Sequence, residues 1–311
     1  GDATSLRLPN TPEIVEHFGA VNDRCGGSAP LAQVLALQAV QSGLILHAEM
    51  HPAKARERAM LAACVDVLAD NDLLLLDRGF PAYWLFAWLR QHDRHFCCRI
   101  DSEAHGWLND FLSSRESERV IEATVSPQAL RRAEAAGFVI TAPSFSIRAI
   151  RVPLPNGQVE VLATSLLDAE AYPADEFAAL YHQRWRIEEC FKRLKCRLAM
   201  EHFSGESVEA VQQDFLAKIW LENVTVSLAY LARERLPAGK RDAFKPNLVY
   251  AVSALSSKLP MWLLRGVTSR GVGGILRLIA ATLEWVRPDR SYPRSRQAVK
   301  PVRYRAYKPV R

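Results

Sequence analysis

Between Tyr181 and Lys195 the chain carries four side chains whose spacing suits work on anionic oxygen: Tyr181, Arg184, Glu188 and Lys195. On a helix advancing about 100° per residue from Tyr181, Arg184 falls at about 300°, Lys195 at about 320° and Glu188 at about 340°. All four then share a wedge about 60° wide. By the same count Leu180, Ile187, Phe191, Leu194 and Leu198 fall between about 220° and 280°, a buried stripe beside the wedge. Glu189, at about 80°, points to solvent, which separates Glu188 as the candidate acid from its neighbour. Arginine can grip an oxyanion with two N–H groups, lysine offers a mobile point charge and tyrosine a hydroxyl donor. A carboxylate is the side chain that hard divalent cations prefer. The same residues also fit an amphipathic helix stitched by i, i+4 pairs, and spacing alone does not choose between the two. Trp185 is expected to pack.

The elements that must hold this helix read as follows. Asp2 to Leu8 is a short strand stopped by Pro9, and a polar loop follows to Gly26, Gly27 and Pro30. Leu31 to Val40 and Leu44 to His47 form a strand pair, and Lys54 to Leu68 has helical apolar spacing. Leu73 to Leu76 is a continuous apolar run closed by Asp77, Arg78 and Gly79, the pattern of a buried central strand. Pro81 suits the start of a helix over Ala82 to Arg90, and Phe96 to Ile100 is a further strand. Residues 101–170 read as strand-like pieces: Arg119 to Thr124, Phe138 to Thr141, Ile147 to Leu154 and Val159 to Ser165. Pro155, Asn156 and Gly157 mark a hairpin turn. Helix is expected from Ala174 to Leu198, from Val208 to Leu236, and in pieces to Trp285.

Composition excludes several classes. Hydrophobic residues make up 49% and charged residues 24% of the 311, as in an ordinary globular chain. The longest apolar run, Phe215 to Leu236, is interrupted by Lys218, Glu222, Arg233 and Glu234, so it is expected to be a core helix with no role in a membrane. With polar first residues, this points to a cytoplasmic protein. Six cysteines occur without a C-x-x-C pair; Cys97 and Cys98, beside His92 and His95, would point to opposite faces of a strand, which disfavours zinc. From Arg287 to Arg311 there are nine Lys and Arg against one Asp, which more than accounts for the net charge of +6. This proline-containing tail suits a phosphate backbone, although such runs also serve solubility. Phosphate-cradling and nucleophile-elbow motifs are missing, and Gly271, Gly273 and Gly274 lack the preceding strand of a dinucleotide site.

Tyr, two residues, Arg, three residues, Glu, six residues, Lys resembles the signature of the insertion sequence 4 family of bacterial DDE transposases. The opening Asp2, Ala3, Thr4, Ser5, Leu6, Arg7, Leu8, Pro9 and Thr11, Pro12, Glu13 is similar to the family's first motif. Leu73 to Leu76 with Asp77, Arg78, Gly79 and Phe80 is similar to its second, and His202 to Gly205 with Gln213 and Asp214 also fits.

The resemblance implies an α/β protein: a ribonuclease H-like catalytic core interrupted by a β-strand-rich insertion, with a helical C-terminal region. Residues 1–100 would be the first part of the core, 101–170 the insertion, 171–236 the remainder of the core and 237–311 the helical region with its basic tail. It implies Asp2, Asp77 and Glu188 as catalytic residues and metal ligands, holding two Mg²⁺ or Mn²⁺ ions. Phosphodiester cleavage needs an activated water and a stabilised leaving oxygen, which two such ions about 4 Å apart can supply. Tyr181, Arg184 and Lys195 would contact DNA. The implied function is cut-and-paste transposition, metal-dependent cleavage and strand transfer at insertion-sequence ends, with double-stranded transposon ends and target DNA as partners and a homodimer on DNA. Relatives that form a DNA hairpin can use an aromatic of the insertion to hold a flipped base, and Trp107 and Phe145 lie in that region. Two departures stand out: Ala3 replaces a usual glycine, and the chain starts one residue before Asp2 without Met. An N-terminally truncated form is therefore expected, and a catalytically inactive DNA-binding remnant is the alternative.

Overall fold

Of the strands in the first hundred residues, the run Leu73 to Leu76 is the plainest case, short, wholly apolar and closed by a turn residue. In the computed structural model, which describes residues 1–22, 28–101, 109–154 and 157–286, the strands of this part are β1 (Asp2–Arg7), β2 (Ala20–Asn22), β3 (Ser28–Gln38), β4 (Ile45–Pro52), β5 (Leu73–Leu76) and β6 (His95–Ile100). β3 pairs with β1, β2 and β4. β5 runs parallel to β6, with Leu74 opposite Phe96 and Leu76 opposite Cys98. The backbone nitrogen of Gly1 donates to the Leu75 carbonyl at 3.0 Å, which sets the start of β1 beside β5. The protein is mixed α/β.

Among the helices the sequence reading did not expect, two share one capping signal. α1 (Pro12–Phe18) is capped by the Thr11 hydroxyl, which accepts from the Ile14 N–H. α5 (Pro127–Ala135) is capped by Ser126, which accepts from Ala129. Both carry the same local signal, a hydroxyl residue at the cap followed by proline in the first turn. Between β4 and β5 the expected long helix is shorter, α2 (Glu57–Ala63), followed by a 3₁₀ turn. α3 (Tyr83–Gln91) lies after β5, with Phe86 stacked on Phe96 at 4.4 Å.

The strands of residues 101–170 join the sheet that contains β5 and β6. After the short α4 (Asn109–Ser113) come β7 (Glu118–Thr124), β8 (Ser144–Pro153) and β9 (Val159–Thr164), in the sheet order β5-β6-β9-β8-β7. β9 is antiparallel to β6, Cys98 opposite Ala163. Phe138 to Thr141 forms no strand. Trp107, Pro155 and Asn156, like Cys25 and the Arg287 to Arg311 tail, lie outside the described residues.

The helical part begins with α6 (Glu176–His182) and α7 (Trp185–Cys196), then α8 (Val208–Glu234), α9 (Ala238–Arg241), α10 (Leu248–Arg265) and α11 (Ser269–Ala281). A small antiparallel pair, β10 (Phe244–Pro246) and β11 (Leu283–Trp285), flanks α10 and α11. Gly271, Gly273 and Gly274 sit inside α11.

The chain divides into two units. One comprises Gly1–Ser5, Gln33–Gln38 and Leu46–Glu188; the other comprises Leu6–Ala32, Ala39–Ile45 and Glu189–Arg311. The core of the first is built from Leu35, Leu61, Leu74, Leu76, Phe86 and Phe96 and the strands around them. In the second, α8 packs Leu228, Ala229 and Ala232 against Ala251 and Leu255 of α10 and Ile275, Leu276 and Ile279 of α11. By length and composition α8 alone among the described helices is long and apolar enough to cross a membrane, and half of that window is buried. Its charges serve the unit: Lys218 donates to the carbonyls of Ala199, Met200 and His202, and Glu222, 0% exposed, pairs with Arg193 of α7.

Candidate active site

Asp2 begins β1 and Asp77 follows the last residue of β5, so the strands that meet at Gly1 and Leu75 carry both acids to one place. The Asp2 carboxyl is pushed up to about 6, first by burial and further by the charge on Asp77; the Ala3 N–H and Arg184 oppose this. Asp77 is held by its own turn, the Gly79 N–H donating to Oδ1 at 2.8 Å. The thiol of Cys98 donates to the Asp77 carbonyl at 3.3 Å. Cys97 and Cys98 are wholly buried, and desolvation pushes both thiols far above their ordinary range.

The continuous helix expected from Ala174 to Leu198 is two helices, with Gln183 and Arg184 between α6 and α7. The angular count from Tyr181 therefore does not run unbroken to Lys195, although within α7 it holds. Ile187, Phe191 and Leu194 are buried, while Glu189 is 61% exposed and paired with Lys192. Glu188 lies at the edge between these faces, and its Oε1 accepts from Arg184 Nη2 at 2.8 Å.

Tyr181 and Arg184 are placed differently from the reachable rim expected of them. Tyr181 is 5% exposed and its hydroxyl donates to the Leu76 carbonyl at 3.0 Å, fastening α6 to the end of β5 next to Asp77. Burial pushes that hydroxyl well above its ordinary range. Arg184 is 7% exposed, and its guanidinium lies 4.7 Å from the centre of the Trp185 ring. Burial works against its charge, but the bond to Glu188 and the charges of Tyr181, Glu188 and Asp2 outweigh this and raise its pKa. Nε and Nη1 of Arg184 are buried without a partner. Trp185 is exposed and does not join the core. Phe145 is buried in the core of its unit and offers no face to a base.

Lys195 belongs to the second unit, seven residues beyond Glu188 on α7. Burial lowers its pKa, as does the charge of Arg7, against the pull of Glu201. Glu201 accepts from the Arg7 backbone N–H at 3.1 Å, so the Leu-Arg-Leu-Pro segment is anchored in the lysine's surroundings.

Sequence reasoning missed one acid, Glu57, the first residue of α2. A Cβ on Gly79 would stand 3.0 Å from Oδ1 of Asp77 and 3.1 Å from Oε2 of Glu57. Burial and then the charge of Asp77 raise the Glu57 pKa, with Arg58 opposing. No spacing rule links Glu57 to Asp77, because the loop and helix between them set the distance.

The donor set, carboxylate oxygens alone, fits a hard divalent cation in type. Among the described residues no three His, Cys, Asp or Glu are gathered closely enough to hold one ion; Glu188 is bonded to Arg184.

Residues 2–223 match the family described as the transposase DDE domain, which defines the class of this protein. The chain is 22% identical over 303 residues to the transposase InsG for insertion sequence element IS4 of Escherichia coli (strain K12). That alignment takes in 94% of this chain and 66% of the relative, so the chain spans just under two thirds of the relative's length. The chain belongs to the insertion sequence 4 family of DDE transposases. A cryo-EM structure of the piggyBac transposase synaptic complex with hairpin DNA is similar over 89% of this chain and 56% of that one, at 10% identity and a TM-score of 0.46, too weak a likeness to build on.

Proposed function

We propose that this chain is the nuclease part of a cut-and-paste DNA transposase, cleaving insertion-sequence ends and joining them to target DNA with Asp2, Asp77 and Glu188 as its catalytic acids. The observation that carries the reading is the placement of Asp2 beside Asp77: two carboxylates carried by strands that meet at Gly1 and Leu75, close enough for the charge of Asp77 to act on the partly buried Asp2. Like charges brought together out of water are costly unless a cation offsets them. The core is read as ribonuclease H-like, with β3, β1, β5 and β6 as its middle strands, β7 to β9 as the insertion and α7 as the helix that brings the third acid.

Asp2, Asp77 and Glu188 would hold two Mg²⁺ or Mn²⁺ ions. When bound, these supply an activated water and a counter-charge for the leaving oxygen. For its part the protein orients Asp77 through the Gly79 N–H and releases Glu188 from Arg184. The freed guanidinium, already carrying two buried donors without partners, is suited to a DNA phosphate. Lys195 adds a second phosphate contact, and Tyr181 serves DNA engagement by fixing α6 against β5. Action as a homodimer on double-stranded DNA in the cytoplasm completes the proposal.

Cleavage of a duplex carrying the insertion-sequence end, with Mn²⁺ or Mg²⁺ and with chelator, is the test. Metal-dependent nicking is expected. DNA binding that is indifferent to chelator, with no cleavage in either metal, would instead show a non-catalytic remnant, a reading favoured by the present engagement of Glu188 with Arg184.

A further inference from the structure

We infer that the ion pair between Arg184 and Glu188 is a latch: without DNA the guanidinium holds the third acid, and a DNA phosphate that takes over the guanidinium sets Glu188 free for the cation. The inference rests on the reading of the site as a cation-dependent nuclease and names what regulates it. Arg184 Nη2 donates to Glu188 Oε1 at 2.8 Å. The charges of Arg184 and Asp2 also act on each other, each favouring the other's ionised form. One guanidinium therefore serves two of the three acids. A cationic side chain beside carboxylates competes with a metal ion for them, because it offsets the same charge.

The pair is placed where it can part. Arg184 belongs to the break between α6 and α7, and Glu188 lies in the first turn of α7, so a small change of angle at the break separates the two side chains without unwinding either helix. The arginine also has capacity for another partner. It is 7% exposed, yet its Nε and Nη1 are buried without a partner, so Glu188 satisfies only Nη2. Buried donors left bare are costly, and a phosphate, with several acceptor oxygens, meets a guanidinium more fully than one carboxylate oxygen does. Exchanging Glu188 for a phosphate also keeps the buried charge paired throughout. Access is short: the Trp185 ring, its centre 4.7 Å from the guanidinium, is 38% exposed, so Arg184 lies one ring beneath the surface.

The test is Mn²⁺ binding to the 311-residue chain without DNA, read from the electron paramagnetic resonance signal of free Mn²⁺, so that no cleavage is needed. Arg184→Gln opens the latch and is expected to raise the affinity about tenfold, as when a ligand no longer depends on a minor competent fraction of the protein. Damage to the fold would lower the affinity, so a rise is not the mark of a merely structural role. Arg186→Gln removes an exposed charge two residues away and is expected to leave the affinity within about twofold, since solvent screens it. An equal rise in both variants would be an effect of net charge and overturns the latch. If Arg184→Gln does not fold, the nuclear magnetic resonance signal of the Arg184 Nε–H in the parent decides: it is expected to shift when a short duplex is added in Mg²⁺, and a signal unmoved by the duplex overturns the latch. Unchanged or weaker Mn²⁺ binding by folded Arg184→Gln, with loss in Asp77→Asn, overturns the latch and leaves the nuclease reading standing. Mn²⁺ bound by neither the parent nor Arg184→Gln overturns both.

Discussion

Glu188 and Glu189 are adjacent in sequence and opposite in setting: one is tied to buried Arg184, the other lies in solvent with Lys192. Glu188→Gln keeps the volume and removes the charge, so cleavage is expected to fall to background while DNA affinity holds or rises. Glu189→Gln should leave both within about twofold, since the contribution of an exposed pair is small. The reverse pattern in a nicking assay would remove Glu188 from the site. Asp2 sets a pH dependence. Its neutral form is favoured in the folded chain, a contribution fully present below the unfolded value near 3.8 and lost as pH rises through about 6. A cation must displace that proton, so Mn²⁺ affinity is expected to be level above pH 7 and to fall roughly tenfold per unit below about 6. A flat profile between pH 5 and 7 would show that Asp2 is not a ligand.

The elements differ in how plainly their ends are written. β5 was legible to the residue because Leu73 to Leu76 is apolar throughout and Asp77 stops it. α1 and α5 were not, since their apolar content is too low for a periodic signal, although Thr11-Pro12 and Ser126-Pro127 mark both starts. Replacing either cap by Ala is expected to cost about 0.5 to 2 kcal/mol in urea unfolding. The pair between partly buried Arg193 and fully buried Glu222 joins α7 to α8 in the second unit. Glu222→Ala leaves the partly buried arginine without its partner and is expected to cost up to about 3 to 5 kcal/mol; a loss under about 1 kcal/mol would mean that water reaches the arginine.

Charge is distributed unevenly over the whole molecule, and the net +6 is concentrated in Arg287 to Arg311. Deleting that segment is expected to weaken DNA binding regardless of sequence and to flatten its salt dependence. Each lost phosphate contact removes about 0.9 from the slope of log affinity against log salt. An unchanged slope would leave the tail a solubility device.

The sequence by itself determined the family, through the spacing of Tyr181, Arg184, Glu188 and Lys195 and the contexts of Asp2 and Asp77. It also determined the strands whose residues are apolar enough to be recognised locally. Both are short-range properties, readable from neighbours along the chain. Tertiary structure decided which groups meet. It gave the Tyr181 hydroxyl to the Leu76 carbonyl, turned Arg184 onto Glu188, interrupted the expected long helix at Gln183 and Arg184, and brought Glu57 up to Asp77. Those outcomes depend on how strands register and helices pack across tens of residues, and no period along the chain encodes such distances.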